Sequence, residues 1–286
     1  MVFQEENAAQ RINSMFVPFK VDKNDSNYKE LASRYNMRGF PTVIILSPDG
    51  TERDRIVGFG GDAELFVQTI TDYANNVNTL VALKEAYEQN PQSVNANFNL
   101  AMKYLDRFQV RKAQDYFERV LELDPQNEFG YNQKAEFNIA LNQARYDENV
   151  QPLKEMLNEV SDRGMLKTGY YTLAGVYEDN GELEKMVSTY KQALEIFDQD
   201  AGMMNTAAWI IYEKRLKDHY EWGIQVAKKA VELEPENDSI WDTLAWLQYE
   251  NGEINAALAS MQKAVELSPD TEYYQQNVKK FKAELE

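Results

Sequence analysis

Residues Asp238 to Thr271, DSIWDTLAWLQYENGEINAALASMQKAVELSPDT, fit two helical patterns, a glycine turn and a proline stop into one short stretch. Trp241, Leu244, Ala245 and Gln248 recur at helical spacing until Gly252 breaks the run. Ala257, Met261 and Ala264 restart it, and Pro269 ends it. A helical hairpin this short cannot bury its apolar face alone, so neighbours must stack on it. Copies should therefore precede it.

They do. Val94–Asn127 supplies Leu100-Ala101, Tyr104, Ala113, Phe117, Val120 and Pro125. Lys167–Asp200 supplies Leu173-Ala174, Tyr177, Gly181, Tyr190 and Ala193, and a further copy supplies Ala207-Ala208, Ala230 and Pro235. Glu128–Leu166 is helical but degenerate, with Lys134 where a leucine belongs. The register is consistent. Leu173 and Ala207 stand one period apart, Leu100 and Leu173 two periods and an insertion apart, and Ala207 and Leu244 one period and a shorter insertion apart. Pro125 to Pro235 independently spans three periods plus the same two insertions. The shorter insertion falls near Lys214–Trp222, in a turn where extra length costs little. This pattern resembles the tetratricopeptide repeat (TPR), with Gln248 in place of its aromatic, Met261 in place of its Phe and Phe108 in place of its turn glycine. The resemblance implies an all-α superhelix, or α-solenoid, of about five repeats. TEYYQQNVKKFKAELE at 271–286 reads as its polar capping helix.

Residues 1–76 differ in kind. VPFKVDKND (17–25) alternates like a strand, and Tyr28–Tyr35 reads as a short helix with Leu31 and Ala32 inward. TVIILSPDG (42–50) and RDRIVGFG (53–60) read as a hairpin. Ala63–Tyr73 places Leu65, Phe66, Ile70 and Tyr73 on one helical face. The expected order is helix, strand, helix, strand, strand, helix. LASRYNMRGFPTVIILSPDG resembles the second half of a thioredoxin domain, so Phe40, Pro41 and Thr42 match that family's cis-proline loop beside Gly39. Such domains carry a Cys-x-x-Cys turn ahead of their first large helix, which MVFQEENAAQRINSMF resembles; this chain contains no cysteine. The family's strand and redox turn would lie upstream of Met1. A missing central strand would leave Val17–Val21 and Thr42–Leu46 without the partner between them.

The expected architecture is thus a partial α/β thioredoxin-like module at 1–76, a linker helix within 77–93 marked by Leu80, Leu83 and Tyr87, and a TPR array at 94–286. The start has no basic flank followed by an apolar run, so it does not read as a signal peptide. No apolar run reaches the ~18 residues of a membrane span. Exported bacterial proteins often join these two modules, which the resemblance suggests without excluding a cytoplasmic protein.

Charge narrows the partners. Thirty basic and 47 acidic residues leave −17, of which −3 lies in residues 1–76 and −14 in the remainder. That sign disfavours nucleic acid and anionic lipid and favours a basic peptide or protein, although solubility alone can select such charge. With no cysteine there is no thiolate chemistry in this chain, and the lone His219 lacks an evident orienting partner. Asp22, Asn24 and Asp25 lack the glycine and distal glutamate of a calcium loop, and no glycine-rich phosphate loop is present. No cofactor or metal is expected.

In TPR arrays the first helix of each pair lines the peptide-binding surface. The matching positions here are Tyr171, Gly175, Glu178 and Asp179, then Asn205, Trp209, Tyr212 and Glu213, then Asp242, Trp246, Tyr249 and Glu250. Trp209 with Tyr212 and Trp246 with Tyr249 stand in register, so they either anchor a peptide with apolar and basic side chains or pack between helices. Phe98, Met102, Leu105 and Asp106 of the first unit lack the Lys/Asn set that grips a C-terminal carboxylate. The sequence favours a non-catalytic interaction protein. Its alternative is the C-terminal part of a thiol–disulfide oxidoreductase whose cysteines precede Met1.

Overall fold

A computed structural model describes residues 6–37, 39–58 and 61–286; Met1–Glu5, Arg38 and the hairpin residues Phe59 and Gly60 lie outside the described residues. The chain divides into two compact units, Met1–Met156 and Leu157–Glu286.

The first unit opens with α1 (Glu6–Met15) and α2 (Tyr28–Arg34), then β1 (Thr42–Leu46), β2 (Glu52–Val57) and α3 (Ala63–Ala74). The two strands pair antiparallel, Thr42 opposite Val57, with a bulge between Ile45 and Leu46. One face of this hairpin closes a small core of Ala8, Ile12, Ile45, Phe66, Val67, Ile70 and Tyr73.

Two expectations fail here. The stretch 17–25 forms no strand, and Val17 and Phe19 are 97% and 80% exposed. A strand is held by its ladder, and the described sheet contains only β1 and β2, so Val17–Val21 has no neighbour to pair with. Leu65 is 64% exposed, while Val67 is fully buried. Phe66, Val67, Ile70 and Tyr73 define one arc of α3, and Leu65 stands on the far side of the same turn.

A single helix, α4 (Leu80–Gln89), precedes the pair α5 (Val94–Asp106) and α6 (Val110–Leu123); α7 (Asn132–Tyr146) and then α8 (Gln151–Glu159) follow, the latter running into the second unit. The second unit continues with α9 (Arg163–Asp179) and α10 (Leu183–Ile196), α11 (Ala201–Glu213) and α12 (Tyr220–Leu233), α13 (Asp238–Glu250) and α14 (Ile254–Leu267), and ends in α15 (Glu272–Ala283). Alanines fill the sites where paired helices cross, and Ala101, Ala113, Ala208, Ala227, Ala245 and Ala257 have no exposed surface. Each hairpin turn needs one residue of left-handed backbone. Glycine takes it at Gly181 and Gly252, whereas Phe108 and Arg215 adopt it at φ 55°.

The motif residues have a physical task. Trp241 Nε1 donates to the carbonyl of Pro235 at 2.8 Å, Gln275 Nε2 to that of Pro269 at 2.6 Å and Asn97 Nδ2 to that of Pro91 at 3.0 Å. In each case a side-chain N–H satisfies the carbonyl of the preceding loop's proline. Before α7 the connection lengthens to 124–131, where the buried Asp124 carboxylate accepts from the amides of Glu128 and Phe129 at 2.8 and 2.9 Å.

Candidate functional site

Two places concentrate polar chemistry, one in each unit. In the first, Gly39–Thr42 enters β1 through a cis Phe40–Pro41 bond. Thr42 Oγ1 donates to the Gly39 carbonyl at 2.6 Å, and the exposed Phe40 ring stacks on Tyr28 at 6.0 Å. A Cβ on Gly39 would lie 2.9 Å from Val57 and 3.6 Å from the Phe108 ring, so the first repeat's turn borders this loop.

Behind the loop, β2 carries a charged cluster that sequence reasoning missed. Asp54 is fully buried; its carboxylate sits 2.6 Å from Arg107 Nη1 and 3.1 Å from Lys103 Nζ, and it accepts from the Leu80 amide at 2.8 Å. Asp54 thereby joins the hairpin to the first turn of α4 and to the C-terminal end of α5. Arg107 also reaches Glu52 at 2.7 Å, and Arg55 pairs with the same carboxylate. Burial opposes ionisation of Glu52, but hydrogen bonds from Arg55 and Arg107 outweigh it and hold the carboxyl below its ordinary range. The available signal was Asp54 standing at an inward position of an alternating strand.

In the second unit, the first helices of successive pairs set their candidate residues side by side. The Trp209 and Tyr212 rings lie 5.1 Å apart on α11, and Tyr212 lies 5.3 Å from Trp246 on α13. Trp246 continues to Tyr249 at 5.7 Å, and Tyr249 stacks on Phe281 of α15 at 4.5 Å. The row does not share one exposure. Trp209, Tyr212 and Tyr249 are half-buried, whereas Trp246 is 7% exposed. Trp246 is enclosed by Phe281, by Lys280 Nζ at 4.5 Å from its ring and by Tyr273, whose hydroxyl accepts its indole N–H at 2.8 Å. Lys280 also lies 4.7 Å from the Tyr249 ring.

Tyr171 and Glu178 on α9 stand outside that ring contact. Tyr171 meets Tyr190 edge-on at 6.4 Å, and Glu178 is paired with Lys214 at 2.7 Å. Beside Gly175 the space is open, since an added Cβ would meet nothing within 4 Å. Asp242, one turn before Trp246, is 8% exposed. Burial pushes its carboxyl up to about 7, assisted by the neighbouring Asp238. Tyr212 is pushed up to about 12 by burial and then by Tyr273, Glu250 and Asp242.

Among the described residues no group of three or more His, Asp or Glu side chains could hold a metal, and no helix is long and apolar enough to cross a membrane.

Comparison with known families places a thioredoxin-like domain over residues 1–74 and tetratricopeptide repeats over 94–127, 168–200 and 238–271. The chain therefore combines an N-terminal thioredoxin-like domain, devoid of Cys-x-x-Cys, with a TPR α-solenoid. Comparison with curated proteins returns no match. Among solved structures, it is similar to YrrB, a TPR protein with an unusual peptide-binding site, at 15% identity and TM-score 0.50, covering 69% of this chain and 98% of that one. A TPR protein from Parabacteroides merdae is similar at 15% identity and TM-score 0.51, covering 66% and 72%. At such identity the likeness concerns the fold. TPR repeats support a role in protein–protein interaction.

Proposed function

We propose that the face built by α9, α11 and α13 takes up a peptide or protein segment, and that the thioredoxin-like domain accompanies it without disulfide chemistry. Trp209 and Tyr212 offer half-buried rings to the partner, Tyr171 and Glu178 extend the face, and Trp246 and Tyr249 back the rings from the next repeat. The observation that carries this reading is the contact of Tyr212 with Trp246 across neighbouring helices, 5.3 Å between rings, with Trp209 beside it. Clustered aromatics of this kind anchor partners at low entropic cost. The −14 balance of residues 77–286 favours a basic segment and disfavours nucleic acid. YrrB, with its peptide-binding site, supports the assignment through a shared fold. The absence of cysteine leaves the first domain no thiolate for exchange.

The test is capture of short basic peptides by the full chain. Trp209→Ala should weaken capture by roughly tenfold or more while the melting temperature stays nearly unchanged. A large loss of stability with capture intact would return Trp209 to a packing role and sink the reading.

A further inference from the structure

Two cations near the candidate face are already engaged: Lys214 with Glu178, and Lys280 with the Trp246 and Tyr249 rings. One carboxylate stands apart. Asp242 is more than nine-tenths buried, and its Oδ1 has no hydrogen-bond partner. One repeat earlier, at the equivalent position of α11, the buried Oδ1 of Asn205 is also without a donor. Two neighbouring helices thus present unanswered acceptors in the same register. A buried acceptor without a donor costs free energy, more so for a charged one.

The surroundings specify the missing donor. Tyr212, Trp246 and Tyr273 lie about the Asp242 carboxyl, and aromatic faces attract a cation. The Trp246 indole and the Tyr273 hydroxyl also act on the Asp242 carboxyl as side-chain donors, yet Oδ1 is left without one. Asp238, on the same helix, adds negative charge and is itself held by the Tyr274 hydroxyl at 3.2 Å. Acceptor oxygens, aromatic rings and a second carboxylate together suit a positively charged nitrogen with several N–H bonds.

Resting on the reading of this face as a partner-binding surface, we infer that Asp242 and Asn205, beside the Tyr212 and Trp246 rings, receive the ammonium or guanidinium of one lysine or arginine in the captured segment. The ligand's N–H groups donate to Asp242 Oδ1 and Asn205 Oδ1, and its charge ionises the carboxyl. The site explains selectivity for one basic side chain, where general acidity explains only attraction.

The experiment uses immobilised pairs of short peptides that differ by lysine or norleucine at one position, probed with the full chain. The lysine member should be captured roughly tenfold better or more. Asp242→Asn should erase that difference, and Asn205→Ala should reduce it partway. Equal capture of both members by the unaltered chain overturns the inference and leaves the binding face standing. Capture of no peptide overturns both. A lysine preference that survives both substitutions places the cation elsewhere and overturns the inference alone.

Discussion

Asp54 Oδ1 lies 2.6 Å from Arg107 Nη1, so a strand residue of the thioredoxin-like domain and the residue ending α5 of the first repeat share a buried ion pair. Lys103 brings a second cation to Asp54 at 3.1 Å and also donates to the Tyr73 hydroxyl at 2.9 Å. The hairpin, α3, α4 and the first repeat consequently meet at one desolvated cluster, which makes the joint between the two domains a core and not a tether. A cluster of this kind contributes little net stability when intact, yet loses much when one member is removed, because the remaining charges stay buried.

Asp54→Ala should therefore cost about 3–5 kcal/mol. Chemical denaturation of the full chain measures it. Replacing Asp54 together with its two cations, Asp54→Leu, Lys103→Met and Arg107→Met, should recover much of the loss, since Glu52 keeps Arg55. A single-substitution cost below about 1 kcal/mol, the range of exposed pairs, would show that water screens the cluster.

Opposite pH dependences should appear in the two units. Glu52 has a lowered pKa in the folded chain, so its contribution is present above the unfolded value of 4.5 and is lost as pH falls through the folded value. Asp242 is raised from 3.8 to about 7, so the folded state binds the extra proton. Its contribution is complete below 3.8 and is lost as pH rises through about 7. Asp238, Tyr212, Tyr273 and the Trp246 indole face that carboxyl. Melting curves of Glu52→Gln and Asp242→Asn against the parent test both signs. Asp242→Asn should gain on the parent with rising pH through about 7, and Glu52→Gln should converge on it in acid. An Asp242→Asn advantage that is flat with pH would mean the carboxyl is not the protonated group.

Phe281 is fully buried against Trp246 and Tyr249, whereas Lys280 covers the same rings from the solvent side. Phe281→Ala should cost about 3–5 kcal/mol. Lys280→Met should cost about 0.5–1 kcal/mol, the worth of an exposed cation–π contact, and shift tryptophan emission. Equal costs would show that α15 is held by its charged edge and not by the Phe281 plug.

What the sequence disclosed follows from what repeats. The repeat period places Trp241 and Gln275 alike, and both donate to the carbonyl of the proline in the loop before them. Periodicity also set Trp209 and Trp246 in register, but it could not separate their environments. Lys280 of α15 lies over Trp246, while Trp209 keeps a half-buried ring. That difference depends on the capping helix, a neighbour in space beyond the repeat pattern itself. The strand expected at 17–25 failed because alternation describes a residue's fitness for a sheet, and the ladder that would hold it is supplied by another segment. The Asp54 cluster was hidden for a related reason: its partners Lys103 and Arg107 belong to a distant helix, beyond the reach of any helical or strand period.

Gly39 is the point at which the cis-proline loop and the first repeat constrain one another. A Cβ there would sit 2.9 Å from Val57 Cγ1, a separation that real contacts do not reach, and 3.6 Å from the Phe108 ring. The Phe108 separation is an ordinary van der Waals contact and needs no adjustment. Val57, at the end of β2, must therefore move to admit the methyl group. Gly39→Ala should cost about 1–3 kcal/mol through overpacking. In a Val57→Ala background the same substitution should cost less, giving a coupling of about 0.5–3 kcal/mol in a double-mutant cycle read by denaturation. Strict additivity would show that the loop yields at Gly39 and not at Val57, and would release Gly39 from its steric requirement.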